Sequence, residues 1–196
     1  HMAPLRLLLA KCLFEFGDKP GAISELRHAI KLQPKNINAY ERLGALLRDN
    51  DQLDEGLNII ERALKLTSDN AKLWFNFGLI KQDLGESQAA REAYEHAIEL
   101  QPEFVEAYHN LASLLRALDR PQEAITTYSK ALQINPSAQE TRANRSLALL
   151  ASGEFEMGWA DYTARRSVAD QHYRLTESSL PTDLTDKFIL IYRDQG

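Results

Sequence analysis

The sequence predicts an all-α fold: a solenoid of about five stacked helix pairs, followed by a loop and a short strand-like C-terminal segment. Three observations carry that expectation. Apolar residues recur at the three-to-four spacing of amphipathic helices, in runs too short for a single long bundle. The chain divides without a gap into 34-residue windows, 3–36, 37–70, 71–104, 105–138 and 139–172. Two places in every window stay small where helix backbones would approach closely: Ala10, Gly44, Gly78, Ala112 and Ser146 at the eighth, and Ala22, Gly56, Ala90, Ala124 and Gly158 at the twentieth. A helix pair of this length cannot bury its apolar stripes alone. Neighbouring copies must cover them, so the fold grows by stacking and has no single central core.

The third window displays the unit most clearly. Leu73, Trp74, Phe77, Ile80 and Leu84 make one helical stripe, and Ala90, Ala93, Tyr94, Ala97, Ile98 and Leu100 make the next. Gly85 falls where the first helix must stop, because glycine takes the left-handed dihedrals of a C-cap. Ser87 is expected to cap the second helix, and Pro102 to end it. The fifteenth place holds Gly17, Asp51, Gly85, Asp119 and Gly153, all turn formers. Alanine fills the twenty-seventh place four times (Ala29, Ala63, Ala97, Ala131) before giving way to Arg165. The aromatic residues Tyr40, Trp74 and Tyr108 share the fourth place and should knit helix to helix. Removing the Trp74 side chain is expected to cost about 3–5 kcal/mol, as for other buried aromatics.

The two ends differ from this body. The leading helix is apolar on more than one side, with Leu5, Leu7, Leu8, Leu9, Leu13, Phe14 and Phe16. An end repeat facing water should carry a polar outer side, so a further repeat stacked on this helix in the parent protein is expected, and self-association or a lattice contact through it in the isolated fragment. In the fifth window Arg142 and Arg145 replace the aromatic and the leucine, while Arg165 and Arg166 enter the second helix. Two readings stay open there, a terminal cap with one polar side and a basic docking face. Residues 173–196 read as a linker containing Pro181, then Phe188–Tyr192 (FILIY) as a buried strand that opens an α/β domain near Lys187. A stray extended segment packed on the fifth repeat is the other reading. His1-Met2 reads as a cloning remnant, and the chain as a trimmed part of a longer protein.

Composition narrows the function. A net charge of −5 and the lack of a basic track argue against nucleic acid as a partner. The single cysteine, Cys12, excludes an internal disulfide framework and reads as a thiol on an apolar helix face. The longest wholly apolar runs are about five residues, so no membrane span is expected, and the reading is a cytoplasmic protein. No two of His1, His28, His96, His109 and His172 stand at i,i+3 or i,i+4, and none has a cysteine nearby. Metal ligation, a cofactor and catalytic residues are therefore all read as none, and the chain as not an enzyme.

The Trp74-x2-Phe77-Gly78 run, then Ala90-x3-Tyr94-x2-Ala97 and Pro102, resembles the tetratricopeptide repeat, over about 170 of the 196 residues. The resemblance implies a right-handed superhelix whose first helices line a concave groove, with protein or peptide ligands as partners. A second resemblance lies at the C-terminal end. Gly153-x-Phe155-x-x-Gly158-Trp159-x-x-Tyr162-x-x-Arg165, followed after a loop by Lys187 to Gly196, is similar to the junction between repeats and a glycosyltransferase-like domain in bacterial proteins. It implies a repeat module that presents acceptor proteins to a catalytic domain. The alternative is a scaffold or co-chaperone adaptor with no attached enzyme.

In that fold the second, fifth, sixth, ninth, twelfth and thirteenth places face the groove. The sixth reads Leu8, Arg42, Asn76, Asn110 and Asn144. A side-chain amide offers an acceptor and donors, so three in a row can pair with the N–H and C=O of an extended peptide. This row resembles the asparagine ladder of O-GlcNAc transferase, although asparagine here also serves structure in ordinary repeats. Both roles stay open. Around it lie Glu41, Phe75 and His109 at the fifth place and Arg48 and Arg116 at the twelfth, the arginines suited to acidic ligand side chains. The lysine–asparagine clamp of chaperone-binding repeats is not convincingly matched by Leu7 and Lys11.

Overall fold

The computed structural model describes residues 2–169, with side chains through residue 164. Ten α-helices follow one another in those residues: α1 (Met2–Glu15), α2 (Lys19–Leu32), α3 (Ile37–Arg48), α4 (Leu53–Leu66), α5 (Ala71–Asp83), α6 (Ser87–Leu100), α7 (Val105–Ala117), α8 (Pro121–Ile134), α9 (Gln139–Ala151) and α10 (Phe155–Ala169). Each helix packs on the next, and α3 also touches α5 as α7 touches α9. Helix pairs stacked in sequence are the solenoid that the period demands. The expected strand at Phe188–Tyr192 and the side chains of Arg165 and Arg166 lie outside the described residues.

One turn recurs in all five pairs. The fifteenth-place residues all adopt positive φ: 82° at Gly17, 57° at Asp51, 78° at Gly85, 58° at Asp119 and 80° at Gly153. After α5, the Gly85 N–H donates to the Gln82 carbonyl at 2.9 Å and the Glu86 N–H to that of Lys81 at 2.9 Å. These are the paired bonds of a Schellman cap, which satisfy carbonyls the helix leaves orphaned. The outer bond repeats from Asp18 to Leu13, Gln52 to Leu47, Arg120 to Leu115 and Glu154 to Leu149. This tight reversal also corrects the expected cap of α6. Ser87 is already its first helical residue, and the cap position falls to Glu86, whose side chain makes no cap bond. Glu86 instead pairs with Lys81 at 2.8 Å. Asparagines cap where the connection is longer, with Asn36 accepting from the Ala39 N–H and Asn70 from that of Leu73.

The joints between pairs use the twenty-seventh place. Ala29, Ala63, Ala97 and Ala131 are all fully buried. Ala97 clusters with Phe104 and Ala107, so the second helix of one pair covers the third place of the next. Within a pair the eighth place sets the approach. A methyl built on Gly78 would sit 2.6 Å from Cε1 of Tyr94, whose ring is buried and whose hydroxyl donates to Gln82 Oε1 at 2.9 Å.

The fourth place has a role that its aromatic character did not predict. Tyr40 donates its hydroxyl to the Pro34 carbonyl at 3.1 Å, and the Trp74 indole N–H donates to that of Ser68 at 2.8 Å. Arg142 reaches the Pro136 carbonyl in the same way. A donor at the side-chain tip thus ties α3, α5 and α9 to the end of the preceding pair. Trp74 is only half-buried, edge-on to Phe77 and His96, so the expected cost of 3–5 kcal/mol for removing it is too high and about 2 kcal/mol fits better. Arg145 is bound as well. It grips Asp161 through two bonds of 2.6 and 2.9 Å and Ser129 Oγ at 3.0 Å. With both arginines engaged internally, neither Arg142 nor Arg145 forms a free basic docking face.

Candidate functional site

Among the first helices α3 touches α5 and α7 touches α9, and the predicted groove residues lie on these four helices. Asn76, Asn110 and Asn144 occupy the same place on α5, α7 and α9, each partly exposed. Their amides are not equivalent. The Asn110 Nδ2 donates to the Glu106 carbonyl one turn back at 2.9 Å. The Asn144 Nδ2 lies 3.4 Å from His109 Nε2, and Asn76 makes no side-chain hydrogen bond within the described residues. A helix-bound Nδ2 still holds a second proton, and all three carbonyl oxygens keep acceptor capacity.

His109 joins two repeats. Its Nδ1 lies 2.9 Å from Thr141 Oγ1 on α9, and its ring stands edge-on to Tyr128. The proton sits on Nδ1 when Asn144 donates to Nε2, and on Nε2 when the Thr141 hydroxyl donates to Nδ1. Burial holds the imidazole below its ordinary pKa, with the Glu140 carboxylate opposing more weakly. A hydroxyl beside an imidazole is also the geometry of a nucleophile and its base. Thr141, however, is 3% exposed and sits inside the joint, so no substrate reaches its oxygen. Among the described residues no three His, Cys, Asp or Glu side chains are grouped to hold a metal. No helix among them is long and apolar enough to cross a membrane.

The charged residues separate into two kinds. Arg48 is engaged, 3.0 Å from Asp49 and 3.5 Å from Asp83 across the α3–α5 contact. Glu41 stands 4.0 Å from Lys72. Arg42 and Arg116 are exposed and have no ion pair among the described residues. Phe75 is drawn into the joint, with ring centroids 5.0 Å from Phe104 and 5.9 Å from Tyr94, so little of it remains for a ligand. Its place marks it for the groove, but an aromatic ring is long enough to reach the next pair.

Hollows open on the surface of the described residues, one of them of about 610 Å³ over the turn at residues 33–36, and two others, one smaller and one larger, lie between helices. One of about 220 Å³ lies between α1 and α3 on the first-helix face, lined by Lys11, Phe14, Ala45, Leu46 and Arg42. A larger one of about 550 Å³ lies between α6, α7 and α8, with Ile98, Tyr108, Leu111 and Leu115 against it, and contains none of the three asparagines. The larger hollow is rimmed by charged and polar side chains, among them Arg91, Glu95, Glu99, Glu123 and Lys130. Arg42, which lines the smaller hollow, holds the same place in its repeat as the three asparagines.

Helix pairs stacked one on the next through the described residues define a helical repeat scaffold. The repeats in residues 43–138 are tetratricopeptide repeats: models of that family match residues 43–116 and 105–138. No curated protein matches the chain. Among solved structures it is similar to PilF of Pseudomonas aeruginosa, with a TM-score of 0.78 and 18% identity over 84% of this chain and 75% of that one. It is similar to MamA (41–end) from Desulfovibrio magneticus RS-1, with a TM-score of 0.74 and 13% identity over 88% and 97%. YrrB, a tetratricopeptide repeat protein with an unusual peptide-binding site, has a TM-score of 0.65 and 17% identity over 85% and 86%. At these identities the likeness is one of fold.

Proposed function

We propose that the first-helix face binds an extended polypeptide, with Asn76, Asn110 and Asn144 pairing to its backbone and Arg42 and Arg116 to its acidic side chains. The observation that carries this is the asparagine row itself: one amide per repeat, at one place on three successive first helices, each open to solvent. Amides spaced by the repeat reach only a ligand that is itself extended, and they read backbone whatever the ligand's sequence. The peptide site of YrrB supports the reading by analogy of fold. The test uses a peptide selected from a random library on the unaltered chain, with its affinity measured by fluorescence anisotropy. Changing Asn76, Asn110 and Asn144 together to Ala should weaken binding at least tenfold, at about 0.5–1 kcal/mol per lost bond. An unchanged constant would remove the backbone-reading role.

We further propose that this module recognises acceptors for a glycosyltransferase-like protein, supported by the run from Gly153 to Tyr162 and the Lys187–Gly196 segment. One observation favours the adaptor reading beside it. Gly153 supplies the positive φ of the α9–α10 turn, Gly158 passes close to Leu150, and Trp159 stacks edge-on to Tyr162. Repeat packing alone accounts for those residues. The chain sequence beyond Gly196 separates the two: strands alternating with helices favour the transferase, and further repeats the adaptor.

A further inference from the structure

The joint between the third and fourth helix pairs leaves open two contacts that the chain closes for itself nearer its start. Between the first and second pairs, Arg27 at the twenty-fifth place grips Glu55 at the nineteenth place of the next window, by bonds of 2.6 and 2.8 Å. Glu95 and Glu123 hold those same two places in the later joint, so a carboxylate replaces the bridging arginine. Each pairs locally instead, Glu95 with Arg91 at 2.8 Å and Glu123 with Arg120 at 2.5 Å. A ring is left uncovered as well. In the second pair the Arg62 guanidinium lies 5.6 Å from the centroid of the Tyr40 ring. Tyr108 and Lys130 hold those places in the fourth pair, yet neither side chain makes a hydrogen bond, ion pair or ring contact among the described residues.

Glu95, Glu123, Tyr108 and Lys130 all line the hollow of about 550 Å³ between α6, α7 and α8, beside the apolar Ile98, Leu111 and Leu115. Carboxylates prevail around it. Glu99 on its rim is 73% exposed with His96 as its ion partner, and Arg91 lies in the field of Glu123 and Glu92 besides its bond to Glu95. Both missing contacts are ones that an arginine makes elsewhere in this chain. A guanidinium pairs with carboxylates through its planar fork, stacks on rings and sheds water readily, whereas the Lys130 ammonium is compact and strongly hydrated. We propose that the hollow receives an arginine of a partner polypeptide, its guanidinium between Glu95 and Glu123 and against the Tyr108 ring, with a neighbouring apolar side chain on Ile98 and Leu111. None of these residues belongs to the asparagine row, so the two sites are tested separately.

The probes are two N-acetylated tripeptide amides, leucyl-arginyl-leucine and leucyl-glutamyl-leucine, titrated into the whole chain with backbone amides followed by NMR. The arginine peptide should shift Tyr108, Thr127 and Lys130 and bind about fivefold or more tighter than the glutamate peptide. Glu95→Gln with Glu123→Gln should weaken it about fivefold, and Tyr108→Leu, which keeps the apolar bulk, about threefold. Circular dichroism should stay unchanged, because these side chains line an open hollow. Lys130→Ala should leave the affinity unchanged or raise it, since a like charge is removed. Equal binding of the two peptides, no shift around the hollow, or indifference to the two glutamines would each overturn the proposal. A preference for the glutamate peptide that Lys130→Ala abolishes would overturn it in favour of an anion site.

Discussion

Changing Arg145 to leucine gives opposite predictions from the repeat sequence and from the structure. The seventh place is otherwise Leu9, Leu43, Phe77 and Leu111, so restoring leucine looks like a repair. Yet Arg145 holds Asp161 by two bonds of 2.6 and 2.9 Å, and the side chains are 24% and 11% exposed. Breaking a buried pair from one side costs about 3–5 kcal/mol, because the remaining charge is stranded. The residual exposure of the arginine lowers that to about 2–3 kcal/mol. Since each repeat contacts only its neighbours, the loss should stay local to α9 and α10. Hydrogen exchange reads it directly: slow amides of α9 should exchange about 30- to 150-fold faster, while those of α5 and α6 should not change. Replacing both residues, Arg145→Leu with Asp161→Leu, should recover most of the stability, as apolar substitutes for buried pairs often do. Unaltered or slower exchange in Arg145→Leu alone would refute the reasoning.

Three further outcomes follow from the geometry. Asp51→Gly and Asp119→Gly should each raise the chain's stability by about 0.5–1 kcal/mol in thermal or urea denaturation, since both aspartates sit at positive φ that glycine adopts without strain. Gly78→Ala should destabilise by about 1 kcal/mol, because a close approach to the buried Tyr94 ring outweighs the helix propensity gained, and calorimetry would register it. His109 gives a pH dependence: burial lowers its pKa in the folded chain, so the unfolded chain binds the proton more readily. Stability is then fully present above about pH 6.5 and falls as the pH drops below it, and the urea midpoint of His109→Gln should fall less between pH 7.5 and 5.5.

The solenoid was legible because its causes are local and repeated. Small residues at the eighth and twentieth places, turn formers at the fifteenth and alanines at the twenty-seventh each mark one backbone constraint, and the structure uses them so. What escaped reading depends on side-chain tips rather than side-chain class. Tyr40, Trp74 and Arg142 look unlike one another by hydropathy, yet all three carry a donor that reaches a carbonyl six residues upstream. The signal was there in their shared N–H or O–H. The Arg145–Asp161 pair joins residues 16 apart on different helices, and in the sequence only Arg145 stood out from the repeat. Phe75 was placed in the groove by its register, but ring length carried it into the joint. The asparagine row stands on the expected helices, whereas its bonds to Glu106 and His109 depend on rotamers that sequence does not encode.

The central claim is that the first-helix face, through its amides, holds a guest chain. Side-chain amide resonances of Asn76, Asn110 and Asn144 during titration with a selected peptide test it most directly. The account predicts that all three shift together and saturate at the affinity found by anisotropy. Shifts confined to Tyr108, Thr126 and Lys130 around the larger hollow, with the three asparagine amides unmoved, would contradict it.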